Sequence, residues 1–418
     1  MGQTLAEGLL ARAAGRETAA PGDHLVCDVD VVMTQDIHTP GIVEKLAEFG
    51  VEELPHPERP VVVMDHMAPS HEVDDANEKV GVREFVDEYG IEHFYDVGTG
   101  ISHEVLPERG HVRPGELVVG SDSHTTTHGA FGAAGTGLGE TDVAYALATG
   151  TNWFRVPETV RVEVAGDLGP RVSAKDVLLS LAGAYGTDFA RYRAVEFDGP
   201  AVRDLSLDDR MTLANMSVEF GAKFGFTPVD EVVTEYVAER TDEPFDPVRP
   251  DDDADYCRAI EVDADGLGPQ VAEPHNVENV VPVAAAEGVD LDQVFIGSCT
   301  NGKLRDLRAA ASVIEGEEVA RGTRLIVTPA SREIYGRAER EGLVRTFNDA
   351  GAVVTNATCG ACPGLGAGVL GEGETCLAAQ NRNFRGRMGH NTSEIYLSSP
   401  ATAAASAVAG RITDPREV

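Results

Sequence analysis

Lysine is nearly absent from this chain: only Lys45, Lys79, Lys175, Lys223 and Lys303 occur among 418 residues. Tryptophan occurs once and aromatic residues make up 6%. No apolar run approaches the roughly 18 residues that a membrane-spanning helix needs. The start, MGQTLAEGLLARAAGRET, lacks a basic stretch followed by an apolar core, so it does not read as a secretory leader. Together these absences predict a soluble, cytoplasmic protein. Six cysteines are too few for the dense disulfide scaffold of a small secreted domain, and a cytosolic chain more often spends such residues on metal or catalysis.

What is abundant is acid. Seventy Asp and Glu against 34 Lys and Arg leave a formal net charge of -36 at neutral pH. Such a charge excludes nucleic acid and anionic membranes as partners, and its self-repulsion weakens the compact state at low salt. With lysine so scarce and acid runs such as 251–253 in the loops, the composition fits a halophile's salty cytoplasm. At 42% hydrophobic and 25% charged, with 45 glycines dispersed along it, the chain reads as folded throughout, and its length predicts two to three domains.

The first third alternates short apolar runs with amphipathic stretches: RPVVVMDH (59–66), VREFVDEYGI (82–91), GELVVGSDSH (115–124) and a glycine-rich turn, GAAGTGLGETD. That is an α/β pattern. The texture changes near residue 155, where PETVRVEVAGDL reads as a strand, followed by helical LSLAGAYG and MTLANMSVEFGAKFG. A second break falls in the acidic, proline-rich 242–256, and EPHNVENVVPV (273–283) reads as a linker. Beyond it VFIG, RLIVTP and AVVTN read as buried parallel strands, with SREIYGRAEREGLVRTFNDAG as helix between them, capped by Gly351. Three α/β domains are therefore expected, at 1–155, 156–277 and 278–418.

Four strand-like runs end in reactive loops: at Asp65 and His66, at Asp122 to His124, at Cys299, and at Cys359 and Cys362. Ligands bind at the carboxyl ends of strands in parallel sheets, so the four loops are expected to converge on one site between domains. Cys359 and Cys362 form a CxxC pair, which alone fits a redox or buried pair as well as a metal site. Cys299 in GSCTNG would add a third thiolate. A closed zinc site or ferredoxin cluster wants four protein ligands, and three leave one metal corner open to substrate or water. Cys27, Cys257 and Cys376 lack such neighbours. The GTGLG in the glycine-rich turn resembles a dinucleotide loop, but no strand immediately precedes it, and close packing is the better use of those glycines.

The motifs VVVMDH, GTGISHEVLPERG, VGSDSHTTTHGAFGAAGTGLGETD, NMSVEFGAK, FIGSCTNG, NATCGACPG and NRNFRGRMG resemble, in unbroken order, those of the aconitase superfamily. The length and the ending GHNTSEIYLSSPATAAASAVAGRI are similar to the large subunits of its isopropylmalate dehydratases and homoaconitases. The resemblance implies a three-domain core of parallel-sheet α/β/α domains lacking the swivel domain. It implies one [4Fe–4S] cluster on Cys299, Cys359 and Cys362, with His66 as the acid beside Asp65, His103 paired with Asp122, and His124 with Glu219. Carboxylate partners hold an imidazole in one tautomer and raise its pKa, which suits proton transfer near neutrality. The resemblance also assigns Arg382 and Arg387 to substrate carboxylates, for which guanidinium forks are suited. Ser123, Asn215, Asn301 and Asn381 match positions that contact substrate or cluster in relatives, although Asp122 and Ser123 could simply cap a helix.

In full-length aconitases a swivelling fourth domain closes the site and supplies a serine base. This chain ends before it, so a separate small subunit is expected as partner, in a heterodimer or heterotetramer. The expected reaction interconverts 2- and 3-isopropylmalate by dehydration and rehydration, a step of leucine biosynthesis. A homoaconitase or aconitase acting on another hydroxy di- or tricarboxylate is the alternative, and a non-catalytic iron–sulfur protein or zinc protein is disfavoured by the Asp–His loops and paired arginines. MTQDIHTPG (33–41) departs from the family pattern and leaves a substrate role for Gln35 or His38 open.

Overall fold

The structure, a computed structural model, describes residues 2–418. The chain forms two compact units. The first takes the chain up to Val97, Ser102–Val164 and Ala190–Glu261; the second takes Gly98–Ile101, Ala165–Phe189 and Val262–Val418.

A five-stranded parallel sheet organises the first unit, in the order His93–Tyr95, Pro60–Val63, Val31–Gln35, Leu117–Gly120, Ala134–Gly137. Its valine-rich runs are apolar without interruption because both faces are covered. Val32, Val62 and Val119 enter one core with Ile42, Leu46, Phe85 and Val143. Their neighbours Val31, Met33, Val61, Val63 and Val118 enter another with Val105, Leu106 and Met211. The central strand Val31–Gln35 is followed in the chain by a neighbour on one side and later by one on the other. The order therefore reverses at this strand, which opens a crevice at its carboxyl end. A further sheet of four strands runs Phe224–Phe226, Ala194–Asp198, Thr159–Ala165, Arg258–Asp263.

In the second unit, Val353–Val354, Arg324–Val327, Gln293–Ile296, Thr375–Ala378 and Glu394–Leu397 lie parallel in that order. Gln270–Ala272 and Val280–Pro282 extend the sheet antiparallel. Segment 273–283 is thus not a linker: it contains the turn and edge strand of this hairpin. The expected single helix over 331–351 is two, Arg332–Arg340 and Leu343–Asp349, split where Gly342 takes φ 82° and ends the first. The glycine-rich turn contains the strand Ala134–Gly137, and the stretch beginning MTLANM is the helix Leu207–Met216, a 3-10 turn and the strand Phe224–Phe226. A strand of sequence AGTG, with Thr136 its one β-branched residue, carries little β signal and is hard to read from composition.

Candidate active site

Three of the five parallel strands in the first unit deliver side chains to its carboxyl edge. After Pro60–Val63 come Asp65 and His66, which are 0% and 8% exposed. His66 Nδ1–H donates to Asp65 Oδ1 over 2.7 Å, and the other Asp65 oxygen accepts the Ser102 amide at 2.7 Å. Burial alone would pull the imidazole pKa down, but the Asp65 charge and hydrogen bond, with Asp122 and Asp36 behind them, push it up to about 9. His66 is therefore a protonated donor at neutral pH whose Nε2 is not the atom held by Asp65.

After Leu117–Gly120, Asp122 caps the 3-10 helix Ser123–Phe131 by accepting the His124 amide at 2.7 Å. The same oxygen accepts from His103 Nε2 at 2.8 Å and lies 3.3 Å from His124 Nδ1. Burial raises the Asp122 pKa, yet the hydrogen bonds from His103 and His124 prevail and hold the carboxyl well below its ordinary value. His124 Nε2 in turn meets Glu219 Oε1 at 2.8 Å. The expected pairs Asp65–His66, His103–Asp122 and His124–Glu219 are thus all in contact, with two imidazoles sharing Asp122. Ser123 Oγ stands 3.5 Å from His124 Nδ1. Asn215 is fully buried and donates to Thr127 Oγ1 at 2.8 Å. Gln35 donates to Ser102 Oγ at 3.1 Å, while His38 pairs with Glu140 at 3.1 Å.

Three residues stand out here that spacing did not single out. Asp36 and Lys79 form a buried ion pair of 3.2 Å next to the His66 turn. His128 is wholly buried, with neither ring nitrogen partnered among the described residues, and burial, then the charge of His103, holds its pKa well below the usual value. Its position in HTTTH gives a sequence signal only in hindsight. Asp36 gives one in TQDIH, immediately after a strand.

In the second unit, the strand Gln293–Ile296 ends in Gly297, where a Cβ would stand 2.7 Å from Phe295 Cζ, and Ser298 then takes a left-handed φ of 73°. This sharp exit presents Cys299. Cys359 and Cys362 follow the edge strand Val353–Val354. Cys299, Cys359 and Cys362 are 7%, 8% and 5% exposed, and no cysteine of the chain is in a disulfide. Asn381, past the strand Thr375–Ala378, spans two of the sulfurs: its Nδ2 is 3.7 Å from Cys299 Sγ and its Oδ1 3.7 Å from Cys362 Sγ. Arg387 Nη2–H points at Cys362 Sγ over 3.3 Å, and Arg382 lies in the loop just after Asn381. Asn301 instead donates to Asp306 Oδ1 at 3.0 Å, bracing the turn that holds Cys299. Lys303, fully buried, donates to the Cys299 carbonyl at 2.7 Å.

Comparison with known proteins places the whole chain among similar sequences. 3-Isopropylmalate dehydratase large subunit 1 of Methanopyrus kandleri is 54% identical over 416 residues, covering 100% of this chain and 99% of the relative. The probable 3-isopropylmalate dehydratase large subunit of Methanothermobacter thermautotrophicus is 50% identical, covering 99% of each. The 3-isopropylmalate dehydratase large subunit of Aquifex aeolicus is 46% identical, covering 100% of this chain and 98% of the relative. Among solved structures, holo-form aconitase X of Thermococcus kodakaraensis aligns with a TM-score of 0.51 at 12% identity, over 86% of this chain and 84% of that one, which shows a shared fold. The pattern of the aconitase family (aconitate hydratase) matches residues 10–410, and the chain belongs to that family.

Proposed function

We propose that this chain is the large subunit of a hydro-lyase that interconverts 2-isopropylmalate and 3-isopropylmalate, the leucine-pathway isomerisation, with a separate small subunit closing the site. The observation that carries the reading is the chain of imidazole–carboxylate pairs at the carboxyl edge of one parallel sheet. Full-length relatives at 46–54% identity bear the corresponding name.

Three buried sulfurs outside any disulfide, two of them bridged by one amide and one facing a guanidinium, fit a [4Fe–4S] cluster held by Cys299, Cys359 and Cys362. Such a cluster supplies Lewis acidity toward the substrate hydroxyl. The protein's own part is to bind, orient and move protons. His66, with Nδ1 committed to Asp65, hands the proton on Nε2 to the departing hydroxyl and recovers it when water adds back. Arg382 and Arg387 take the carboxylates of the malate half, which guanidinium forks match. Asp122 and Glu219 keep His103 and His124 in one orientation, and Ser123, Asn215 and Asn381 line up as polar contacts. The carbon-bound proton falls to a base on the small subunit. The described residues contain no helix long and apolar enough to cross a membrane. A salty cytoplasm is the compartment that best suits the charge.

The test is anaerobic: load the chain with iron and sulfide, add the small subunit, and follow alkene absorbance with isopropylmalate, homocitrate and citrate in turn. Turnover confined to isopropylmalate is expected. Preference for a tricarboxylate would reassign the chain to a homoaconitase or aconitase. A loaded cluster without turnover on any of them would refute the enzymatic reading.

A further inference from the structure

The turn that carries Asp65 and His66 is held from outside. Asp36 stands at the carboxyl end of the central strand Val31–Gln35 and is 1% exposed. Its carboxylate accepts three consecutive amides: Asp65 N–H at 3.3 Å and His66 N–H at 3.0 Å on Oδ1, and Met67 N–H at 3.0 Å on Oδ2. Lys79 Nζ, on the helix Val73–Glu88 and 2% exposed, lies 3.2 Å from Oδ2. Burying two opposite charges this deeply costs several kcal/mol per ion before their attraction is counted, and an apolar pair of similar volume would hold a core at lower cost. What an apolar pair could not do is grip three backbone amides in a row.

The geometry points to Asp36, with Lys79 as its counter-ion, as a positioning residue for His66. Asp65 fixes the rotation of the imidazole through Nδ1 but rides on the same turn as the ring it orients. Asp36 belongs to a different strand, and its grip on the amides of residues 65–67 fixes the backbone from which both side chains project. Its Oδ1 also lies 3.9 Å from His66 Nδ1, so its charge reaches the imidazole as well as the turn. Lys79 holds the carboxylate by its other oxygen, Oδ2, at 3.2 Å. Because Val31–Gln35 pairs parallel with Pro60–Val63, the residue that follows it stands beside the turn that follows that strand, which explains why the clamp sits there. This inference rests on the reading of His66 as proton donor, and its test separates the two.

Two measurements decide it. In the metal-free chain labelled with nitrogen-15 in histidine, the downfield imidazole proton that His66→Gln abolishes is expected to move or broaden away in Asp36→Asn, since an amide cannot accept all three N–H groups. In the loaded complex with its small subunit, the same variant is expected to lose about tenfold or more in kcat while KM stays within about threefold, as for misaimed proton transfer rather than lost binding. An unmoved resonance, or a kcat within about twofold of the parent, overturns the inference. If Asp36→Asn does not fold, Lys79→Gln, which leaves the amide contacts but removes the counter-charge, should move the same resonance from its position in the parent, and no movement overturns the inference. A parent complex that turns over nothing would sink the hydro-lyase reading and leave the resonance to judge the clamp.

Discussion

Three buried imidazoles in the first unit, His66, His103 and His124, sit against carboxylates, and His128, buried beside them, does not. Asp122 matters most in that set because one of its oxygens meets His103, the His124 amide and, at 3.3 Å, the His124 ring. Asp122→Asn keeps the shape but replaces a charged acceptor with an amide that must present a donor to one of its partners. The expected outcome in the loaded complex is a kcat lower by about 10²-fold with little change in melting temperature, the scale of a disrupted acid–base group. A loss under about threefold would show that the two imidazoles do not depend on it. The carboxylate pairs were legible through the resemblance to the aconitase superfamily; position after a valine-rich strand marks only Asp65–His66 and Asp122–His124, whereas His103 follows the strand His93–Tyr95 and Glu219 follows the helix Leu207–Met216. Asp36 and Lys79 were not: one lies 29 residues before Asp65 and the other in a helix after it, and only the parallel pairing of Val31–Gln35 with Pro60–Val63 brings them together.

Elements were legible wherever burial imposes a period on the sequence. Runs such as VVVM and LVVG must be strands covered on both faces, and their ends fall where the reactive loops begin. What escaped was set by single glycines, as at Gly342, or by tertiary pairing, as in the hairpin ending at Val280–Pro282. The strand Ala194–Asp198 shows a consequence of such pairing. Its Glu196 is 7% exposed and accepts the Leu5 amide, at the start of the helix Leu5–Ala13, at 2.8 Å and the Tyr256 hydroxyl at 2.8 Å. Burial outweighs both bonds and raises its pKa from 4.5 to about 7. The folded chain thus holds this proton more tightly than the unfolded one. The associated stability is complete below about pH 4.5 and is lost as pH rises through about 7, on the order of 3 kcal/mol in all. Glu196→Gln, which is uncharged throughout, should therefore melt at least as high as the parent at pH 8 and lose less between pH 5 and pH 8. The slope shrinks without vanishing, because Glu116 and Asp176 are also raised, to about 7 and about 6. Identical pH profiles for variant and parent would show that Glu196 ionises in the folded chain as it does in the unfolded one.

The placement of lysine ties the whole molecule together. Three of the five lysines are buried: Lys79 at 2% exposure on Asp36, Lys175 at 0% on the Gln380 carbonyl, and Lys303 at 0% on the carbonyls of Cys299 and Thr300. Lysine survives where a compact ammonium is needed inside, and the surface is left to acids and arginines. The net charge, legible from composition alone, therefore lies on the outside, where salt can reach it. At 0.1 M salt the screening length is about 10 Å and at 1 M about 3 Å, so repulsion between neighbouring acids is relieved mainly above physiological ionic strength. The melting temperature is expected to climb by about 10 °C or more between 0.1 and 2 M potassium chloride, and a neutral osmolyte that only strengthens apolar burial should not reproduce the low-salt part of that rise. A flat or falling curve would mean that exposed ion pairs such as Arg308–Glu341 and Arg12–Asp246, which salt weakens, outweigh the repulsion among the uncompensated acids. With 70 acids facing 34 cations, the acids that no cation can pair should prevail, and the curve should rise.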